Sequence, residues 1–353
     1  MRIGSNPEKA NNLISNNSYH RIIVPVYIPR LEDYFEECLE VLKMCIQSLS
    51  STIHEATKIT IIDNASCAQV KEYLAEQFKE GKIDQLIINK ENLGKIDPVI
   101  AVIRGCHEAL LTITDADVLF LPGWQSEVEQ CHVNFPHAGT VCPVPISRNS
   151  FAFTMATWVF GMFHGKIRYE KILNPEDMVI FCKSISDSIF YKASQLDQIA
   201  NLKYKNHTAC IGAGHFVATY KRKVFDFAPK GPSLKKIDGG IENAYLDKPS
   251  DIGGYLRLST SKNFAYHIGN KPESWMADKI AAEEHRIVAP FSADSFKIRT
   301  QAYASILFFF NANRSFYEIF NKVFMRIAKN TFFRKKFCVW LGLKKENAVD
   351  YFT

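Results

Sequence analysis

Residues 111–121 read LTITDADVLFL, an apolar run broken at its centre by two carboxylates two residues apart. The run has the composition of a buried strand, and Asp115 and Asp117 interrupt it where unpaired charge is disfavoured. Toward the amino terminus three similar runs precede it. Arg21–Tyr27 (RIIVPVY) reads as a buried strand, and Lys58–Asp63 (KITIID) and Asp84–Asn89 (DQLIIN) as a second and a third strand. Helical periodicity fills the gaps. Leu31–Leu49 places Leu31, Phe35, Cys38, Leu42, Cys45, Ile46 and Leu49 on one face, and Ala68–Phe78 and Asp97–Leu110 follow as further helices. Strands alternating with helices imply βαβ crossovers, so the expected class is α/β with a mostly parallel sheet flanked by helices.

Beyond Pro122 the alternation lapses. Pro143 and Pro145 mark a strand-and-loop region before the apolar stretch Phe151–Phe163. Cys210–Tyr220 (CIGAGHFVATY) reads as one glycine-punctuated strand and Asp238–Asp247 (DGGIENAYLD) as an acidic helical patch. The short runs LRLST and AYHIGN close the core, and from Ser274 the chain reads as helical. The organisation expected is a loosely ordered leader over 1–19, a domain over 20–272 and a helical extension over 273–353. Within the domain, 20–122 forms a nucleotide-binding half and 123–272 an acceptor half.

Composition narrows the class of protein. Of 353 residues, 47% are hydrophobic and 23% charged, which excludes a disordered or collagen-like chain. No apolar run approaches the ~20 residues of a membrane-spanning helix. The opening MRIGSNPEKANNLISNNS has no apolar signal core, so a cytoplasmic location is expected. Nine cysteines, without a CxxC pair, sit mostly in apolar segments and argue against a disulfide framework or a zinc site. The net charge of +6 is local: residues 321–353 hold eight Lys/Arg against two Asp/Glu, and the rest holds 35 of each sign.

In a parallel sheet, ligands bind outside the carboxyl ends of the strands. Three polar groups fall there: Asp63-Asn64, Asn92-Leu93-Gly94-Lys95 and Asp115-Ala116-Asp117. In an extended segment residues two apart share a side, so Asp115 and Asp117 present both carboxylates together. Their repulsion calls for a shared cation, and Mg²⁺ or Mn²⁺ would leave positions open for phosphate oxygens. A solvated turn is the alternative.

In this order and spacing, Val24-Pro25-Val26-Tyr27, Asp63-Asn64-Ala65-Ser66, Asn92-x-Gly94 and Asp115-x-Asp117 resemble the nucleotide-sugar glycosyltransferases of the GT-A fold, family 2. The resemblance continues through Gly212–Phe216, the Glu242 region and His267-Ile268-Gly269-Asn270. It implies an inverting, hexosyltransferase-type transfer from a nucleotide-diphosphate sugar to the hydroxyl of a glycan or lipid-linked saccharide. It also implies site roles. Pro25, Tyr27 and Asp63 would cradle the base, with Asp63 accepting from uracil N3–H and so favouring a UDP-sugar. Asn92 and Gly94 would approach the ribose, and Lys95 would add charge near the base or phosphates. Asp115 and Asp117 would form the metal- and ribose-binding pair, with His267 reaching back to the metal or diphosphate. For His267, a satisfied buried histidine is the alternative.

The catalytic base departs from the family pattern, in which Glu is followed by Asp. Here Glu242 is followed by Asn243, and an amide does not take a proton from a hydroxyl. Glu242 is therefore the first candidate, Asp238 the second and Asp247 the third, with helix capping the ordinary alternative. At the carboxy terminus Phe316, Phe320, Val323, Phe324 and Ile327 recur at helical spacing, followed by Phe332-Phe333-Arg334-Lys335-Lys336-Phe337 and Trp340. This pattern suits either peripheral contact with an anionic membrane or packing on the core with a basic outer face. The balanced charge elsewhere disfavours nucleic acid. Two alternatives share these features: a non-catalytic nucleotide-sugar-binding module, and a sugar-nucleotide pyrophosphorylase, which is disfavoured because VPVYIPRLEDY has no glycine.

Overall fold

The computed structural model describes residues 17–236, 239–281, 290–296 and 330–352, with single positions or short runs at 4, 6, 318–319, 322–324 and 326. Strand β1 (His20–Val26) is followed by α1 (Cys38–Ser51), β2 (Thr57–Asn64), α2 (Ala68–Lys79), β3 (Gln85–Asn89), α3 (Ile96–Gly105) and β4 (Leu110–Thr114). The order β3-β2-β1-β4 is parallel throughout. Successive residues of β1 point to opposite faces, and both faces are covered. Ile22, Val24 and Val26 share a core with Leu42, Ile46 and Leu49 of α1, whereas Ile23 joins Val99 and Ile103 of α3. That two-sided burial is why β1 reads as continuously apolar.

Past β4 the sheet becomes mixed. Strand β5 (Val118–Phe120), α4 (Trp124–Asn134), β6 (Ala138–Cys142), α5 (Met155–Phe163), β7 (Lys166–Lys171), α6 (Pro175–Ser184) and α7 (Ala193–Asp197) come next. They lead to β8 (Gln198–Tyr204), β9 (His207–Ile211), β10 (Val217–Lys221), α8 (Gly239–Glu242), a π-helical turn (Asn243–Asp247) and α9 (Lys248–Ile252). The last elements are β11 (Leu256–Ser259), β12 (Ala265–His267), α10 (Ser274–Ala281) and α11 (Thr331–Trp340). The ten-stranded order is β3-β2-β1-β4-β10-β6-β11-β9-β8-β7, and β5 with β12 forms a separate two-stranded sheet. The α/β class is as expected; β1 to β4 are parallel, and among the later pairs β6 with β11 is parallel too.

Several boundaries differ from the sequence reading. The expected strand Leu111–Leu121 is two strands in different sheets, because Asp115 and Asp117 turn the chain out of the main sheet. The expected strand Cys210–Tyr220 is likewise two, β9 and β10, joined by the glycine-bearing loop. The first helix begins only at Cys38; Phe35 ends a 3₁₀ turn, Asp33–Phe35. Ser18 and Tyr19, assigned to the leader, are buried, and the Tyr19 hydroxyl donates to Glu129 at 2.8 Å.

The carboxy-terminal residues divide. Cys338, Leu341, Leu343, Ala348 and Tyr351 are buried in the main core, and the Tyr169 N–H of edge strand β7 donates to the Leu341 carbonyl at 2.9 Å. Covering β7 in this way protects an otherwise open sheet edge. Phe332, Phe333 and Trp340 are instead exposed. Arg334 turns inward onto the Phe352 ring, 4.1 Å from its centroid. Phe316, Phe320 and Ile327 lie outside the described residues. Among the described residues no helix is long and apolar enough to cross a membrane.

Candidate active site

A cavity of about 400 Å³ opens outside the carboxyl ends of β1, β2 and β4. Pro25 and Tyr27 enter it from the end of β1. Pro25 lies past the end of the β1–β4 register, at Ile23 and Ile113, and opposite Ile62 in the β1–β2 register. Asn92, Gly94 and Lys95 come from the β3–α3 loop, Asp115 and Asp117 from the β4–β5 turn, and Glu242 from α8. Tyr34 and Phe35 add an aromatic wall, with Tyr27 edge-on to Phe35 at 6.3 Å. Nothing in the sequence marked Tyr34, and Phe35 read as a helix-face residue.

The β3–α3 loop is built from amides. Asn64 donates through Nδ2 to the Asn92 carboxamide oxygen and to the Gly94 carbonyl, both at 2.9 Å. Asn64 Oδ1 accepts from the Leu93 N–H at 3.0 Å, and Asn92 Oδ1 from the Gly94 N–H at 2.9 Å. Gly94 has φ +81°, and a Cβ there would stand 2.3 Å from the Lys235 carbonyl oxygen. Only glycine lets the loop pass beneath Lys235 and Lys236.

Asp63 is not brought to the cavity wall. It is fully buried, and its Oδ1 accepts from the Ser66 N–H at 2.9 Å; Asn64 lines the cavity instead. Asp63 Oδ2 is buried without a hydrogen-bond partner.

The acidic turn is stitched to two distant segments. The Asp115 N–H donates to the Phe216 carbonyl at 2.7 Å, and the Ile268 N–H to the Asp117 carbonyl at 2.8 Å. These bonds bring the Gly212–Phe216 loop and β12 to the same place as the carboxylates. His267 Nε2 lies 3.3 Å from Asp117 Oδ2. One ligand atom each from Asp115, Asp117 and His267 falls within 4.8 Å of the others. Burial raises the Asp117 carboxyl above its usual range, partly offset by the charge of His267 and reinforced by Asp115. Asp117 Oδ1 is buried with no partner. Two oxygen donors, one imidazole and an orphaned carboxylate oxygen fit a hard divalent cation.

Beside this cluster runs a chain of alternating charge. Lys95 pairs with Asp115 and, at 2.7 Å, with Glu242. Burial opposes the Lys95 charge, but the two carboxylates more than restore it and hold the ammonium well above its usual range. His215 faces Glu242 through Nε2 at 3.4 Å and Asp247 through Nδ1 at 2.8 Å. Arg257, itself buried, clamps Asp247 at 2.7 Å. Burial alone would lower His215, yet its hydrogen bonds to Asp247 and Glu242 raise it to about 9. Burial would raise Glu242, yet the His215 hydrogen bond and the Lys95 charge bring it down to about 2. Asp247, the third candidate base, is spent on His215 and Arg257. Asp238 lies outside the described residues.

Residues 22–194 match the model of glycosyl transferase family 2. Over that stretch the resemblance read from the motifs holds; it takes in the β1, β2 and β3 ends and the acidic turn, while His215, Glu242 and His267 lie beyond it. No curated protein matches the chain. Among solved structures, TarS of S. aureus, residues 1–349 in complex with UDP-GlcNAc, is 12% identical, with 73% of this chain and 60% of that chain covered and a TM-score of 0.37. The mannosyltransferase PcManGT from Pyrobaculum calidifontis, in complex with GDP-Man and Mn²⁺, is also 12% identical, with 97% and 89% covered and a TM-score of 0.39. The chain thus spans less than two thirds of the TarS chain.

Proposed function

We propose that this chain, with its glycosyl transferase family 2 domain over residues 22–194, moves a sugar from a nucleotide-diphosphate donor to an acceptor hydroxyl with inversion at the anomeric carbon. The observation that carries the reading is the meeting of Asp115, Asp117 and His267 beside a cavity that Lys95 and Glu242 also border. A divalent cation, Mn²⁺ or Mg²⁺, held by Asp115, Asp117 and His267 would neutralise charge on the departing diphosphate. Lys95 adds a cation at the same end of the cavity, free to exchange its carboxylate partners for phosphate oxygens. Tyr27 and Phe35 offer apolar surface for the base. The orphaned Oδ2 of Asp63 favours a base with an N–H to donate, such as uracil, provided the wall formed by Asn64 and Ser66 opens to it.

Glu242 is the candidate base. Its carboxylate is ionised at neutral pH, but His215 and Lys95 hold it at about 2, so it gains the strength to take the proton of an acceptor hydroxyl only when Lys95 turns from it to the donor's phosphates. Inversion follows if the acceptor oxygen attacks opposite the leaving diphosphate in one displacement. The acceptor half, 123–272, would hold a glycan or lipid-linked saccharide. For the latter, exposed Phe332, Phe333 and Trp340 together with exposed Lys322, Arg326 and Lys336 support peripheral contact with an anionic cytoplasmic membrane face. Donor hydrolysis assayed with Mn²⁺ across several nucleotide sugars tests the class of reaction. Turnover of at least one, lost with EDTA, is expected; no turnover of any, with nucleotide sugars still bound, would favour a binding module.

A further inference from the structure

The single proton of the Ser184 hydroxyl decides how His267 meets the acidic pair. Ser184 is the last residue of α6, and its Oγ lies 2.8 Å from the Phe181 carbonyl oxygen and 2.9 Å from His267 Nδ1. The one hydroxyl proton can serve only one of the two, and the Phe181 carbonyl, which the Ile185 N–H reaches only at a long 3.3 Å, is the acceptor the geometry favours. The Ser184 oxygen then faces the imidazole with a lone pair, and Nδ1 must carry the proton that joins them. In a neutral ring this leaves Nε2 bare. Nε2 is the atom aimed at Asp117, 3.3 Å from Oδ2. With the ring neutral, two lone-pair-bearing atoms face each other, and either a second ring proton or a metal ion between them relieves the repulsion.

The surroundings hold this arrangement in place. The rings of Phe181 and Phe216 stand edge-on to the imidazole, with centroids 5.8 and 5.7 Å away. On β12, His267 is in register with Val118, directly after the acidic turn. Gly269 has φ +70°, and a Cβ there would come within 3.0 Å of the Ser184 carbonyl oxygen, so glycine is what allows the end of α6 to approach β12 so closely.

We propose that Ser184 is a positioning residue that fixes His267 as the Nδ1–H tautomer and so presents Nε2 to a divalent cation shared with Asp115 and Asp117. The inference rests on the metal-site reading above and adds to it the residue that orients the imidazole ligand. A hydroxyl that merely capped the last turn of α6 would bond Phe181 with its oxygen out of reach of Nδ1, whereas the two lie 2.9 Å apart.

The test has a spectroscopic arm and a binding arm. Histidine ¹⁵N chemical shifts of the metal-free full chain, in mildly alkaline buffer, are expected to show His267 as Nδ1–H. In Ser184→Ala the population should move toward Nε2–H, which gains Asp117 as its acceptor. Calorimetric titration with Mn²⁺ alone should show affinity falling by roughly tenfold to a hundredfold in Ser184→Ala, the scale of losing a group that orients a metal ligand. Ser184→Thr, which keeps the hydroxyl, should retain both properties. An Nε2–H tautomer in the unsubstituted protein would overturn the assignment even if Ser184→Ala failed to fold. So would unchanged tautomer and Mn²⁺ affinity in a folded Ser184→Ala. If Mn²⁺ binding also ignores Asp117→Ala and His267→Ala, the metal reading itself falls, while the ¹⁵N spectra still judge the hold of Ser184 on the ring.

Discussion

Lys95 Nζ lies 2.7 Å from Glu242 Oε1 while also pairing with Asp115, so one ammonium ties the candidate base to the candidate metal pair. A cation bound at Asp115 would have to share or displace that ammonium. Lys95→Met should therefore raise affinity for Mn²⁺ alone by roughly three- to tenfold, the scale of a partly buried pair worth ~1 kcal/mol. Turnover of a nucleotide sugar should fall in the same variant, because the diphosphate loses a cation. Titration calorimetry and a donor-hydrolysis assay measure the two effects separately.

Glu242 is expected to act on the acceptor and not on the donor. Glu242→Gln should lose on the order of 10²–10⁴ in turnover with little change in donor affinity. If Asp238→Asn is the crippled variant and Glu242→Gln stays nearly active, the role passes to Asp238. Retained anomeric configuration in the product would contradict the single-displacement scheme whichever acid serves.

His215 links the site to pH. Its folded-state value, about 9, lies above its ordinary value of 6.5, so its pairing with Asp247 and Glu242 stabilises the fold fully below pH 6.5. That contribution is lost as pH rises through about 9. Thermal unfolding should show the unsubstituted protein above His215→Asn at about pH 5.5, roughly one unit below the ionisation of a free histidine near 6.5. The gap should close on the alkaline side. A gap of constant size across that window would mean the imidazole is not charged in the fold.

Much of this was legible in the residues themselves. The β1 and β2 runs are buried on both faces and so read as continuously apolar, whereas β3, at the sheet edge, is only half-buried with Ile88 exposed. Asp115 and Asp117 follow β4 and Lys95 precedes α3, so all three reach one cavity, which Glu242 joins from the end of the short α8. The parts that were not legible depend on contacts between distant segments. The break at Asp115–Asp117 is made by bonds to Phe216 and Ile268, which no local pattern records. Asp63 looked like a base ligand from its place at a strand end, but the turn through Ala65, at φ +70°, folds Ser66 back onto its carboxylate. Ser184 carries no signal at all, since a serine closing a helix is ordinary. Asp247 looked free beside Glu242, and only the fold brings Arg257 to it.

The exposed aromatics of α11 lead to a membrane prediction that differs from the sequence reading in three residues, since Arg334, Lys335 and Phe337 are half-buried. Arg334 packs on Phe352, so the outward-facing set is Phe332, Phe333, Lys336 and Trp340. Co-sedimentation with vesicles containing anionic lipid should weaken as salt rises, since the attraction is screened over ~8 Å at physiological ionic strength. Phe332→Ser with Phe333→Ser and Trp340→Ser should abolish it while leaving turnover on a soluble acceptor intact. Indifference to anionic vesicles at low salt would mean these side chains serve another contact.

The most direct test of the account is the metal dependence of nucleotide binding at Asp117. Calorimetric titration with UDP, in the presence of Mn²⁺ and again with EDTA, should give binding that needs the metal. Asp117→Ala should lose that metal-dependent part while circular dichroism and the melting transition stay those of a folded chain. UDP affinity that is the same with Mn²⁺ and with EDTA, and the same in Asp117→Ala, would contradict it.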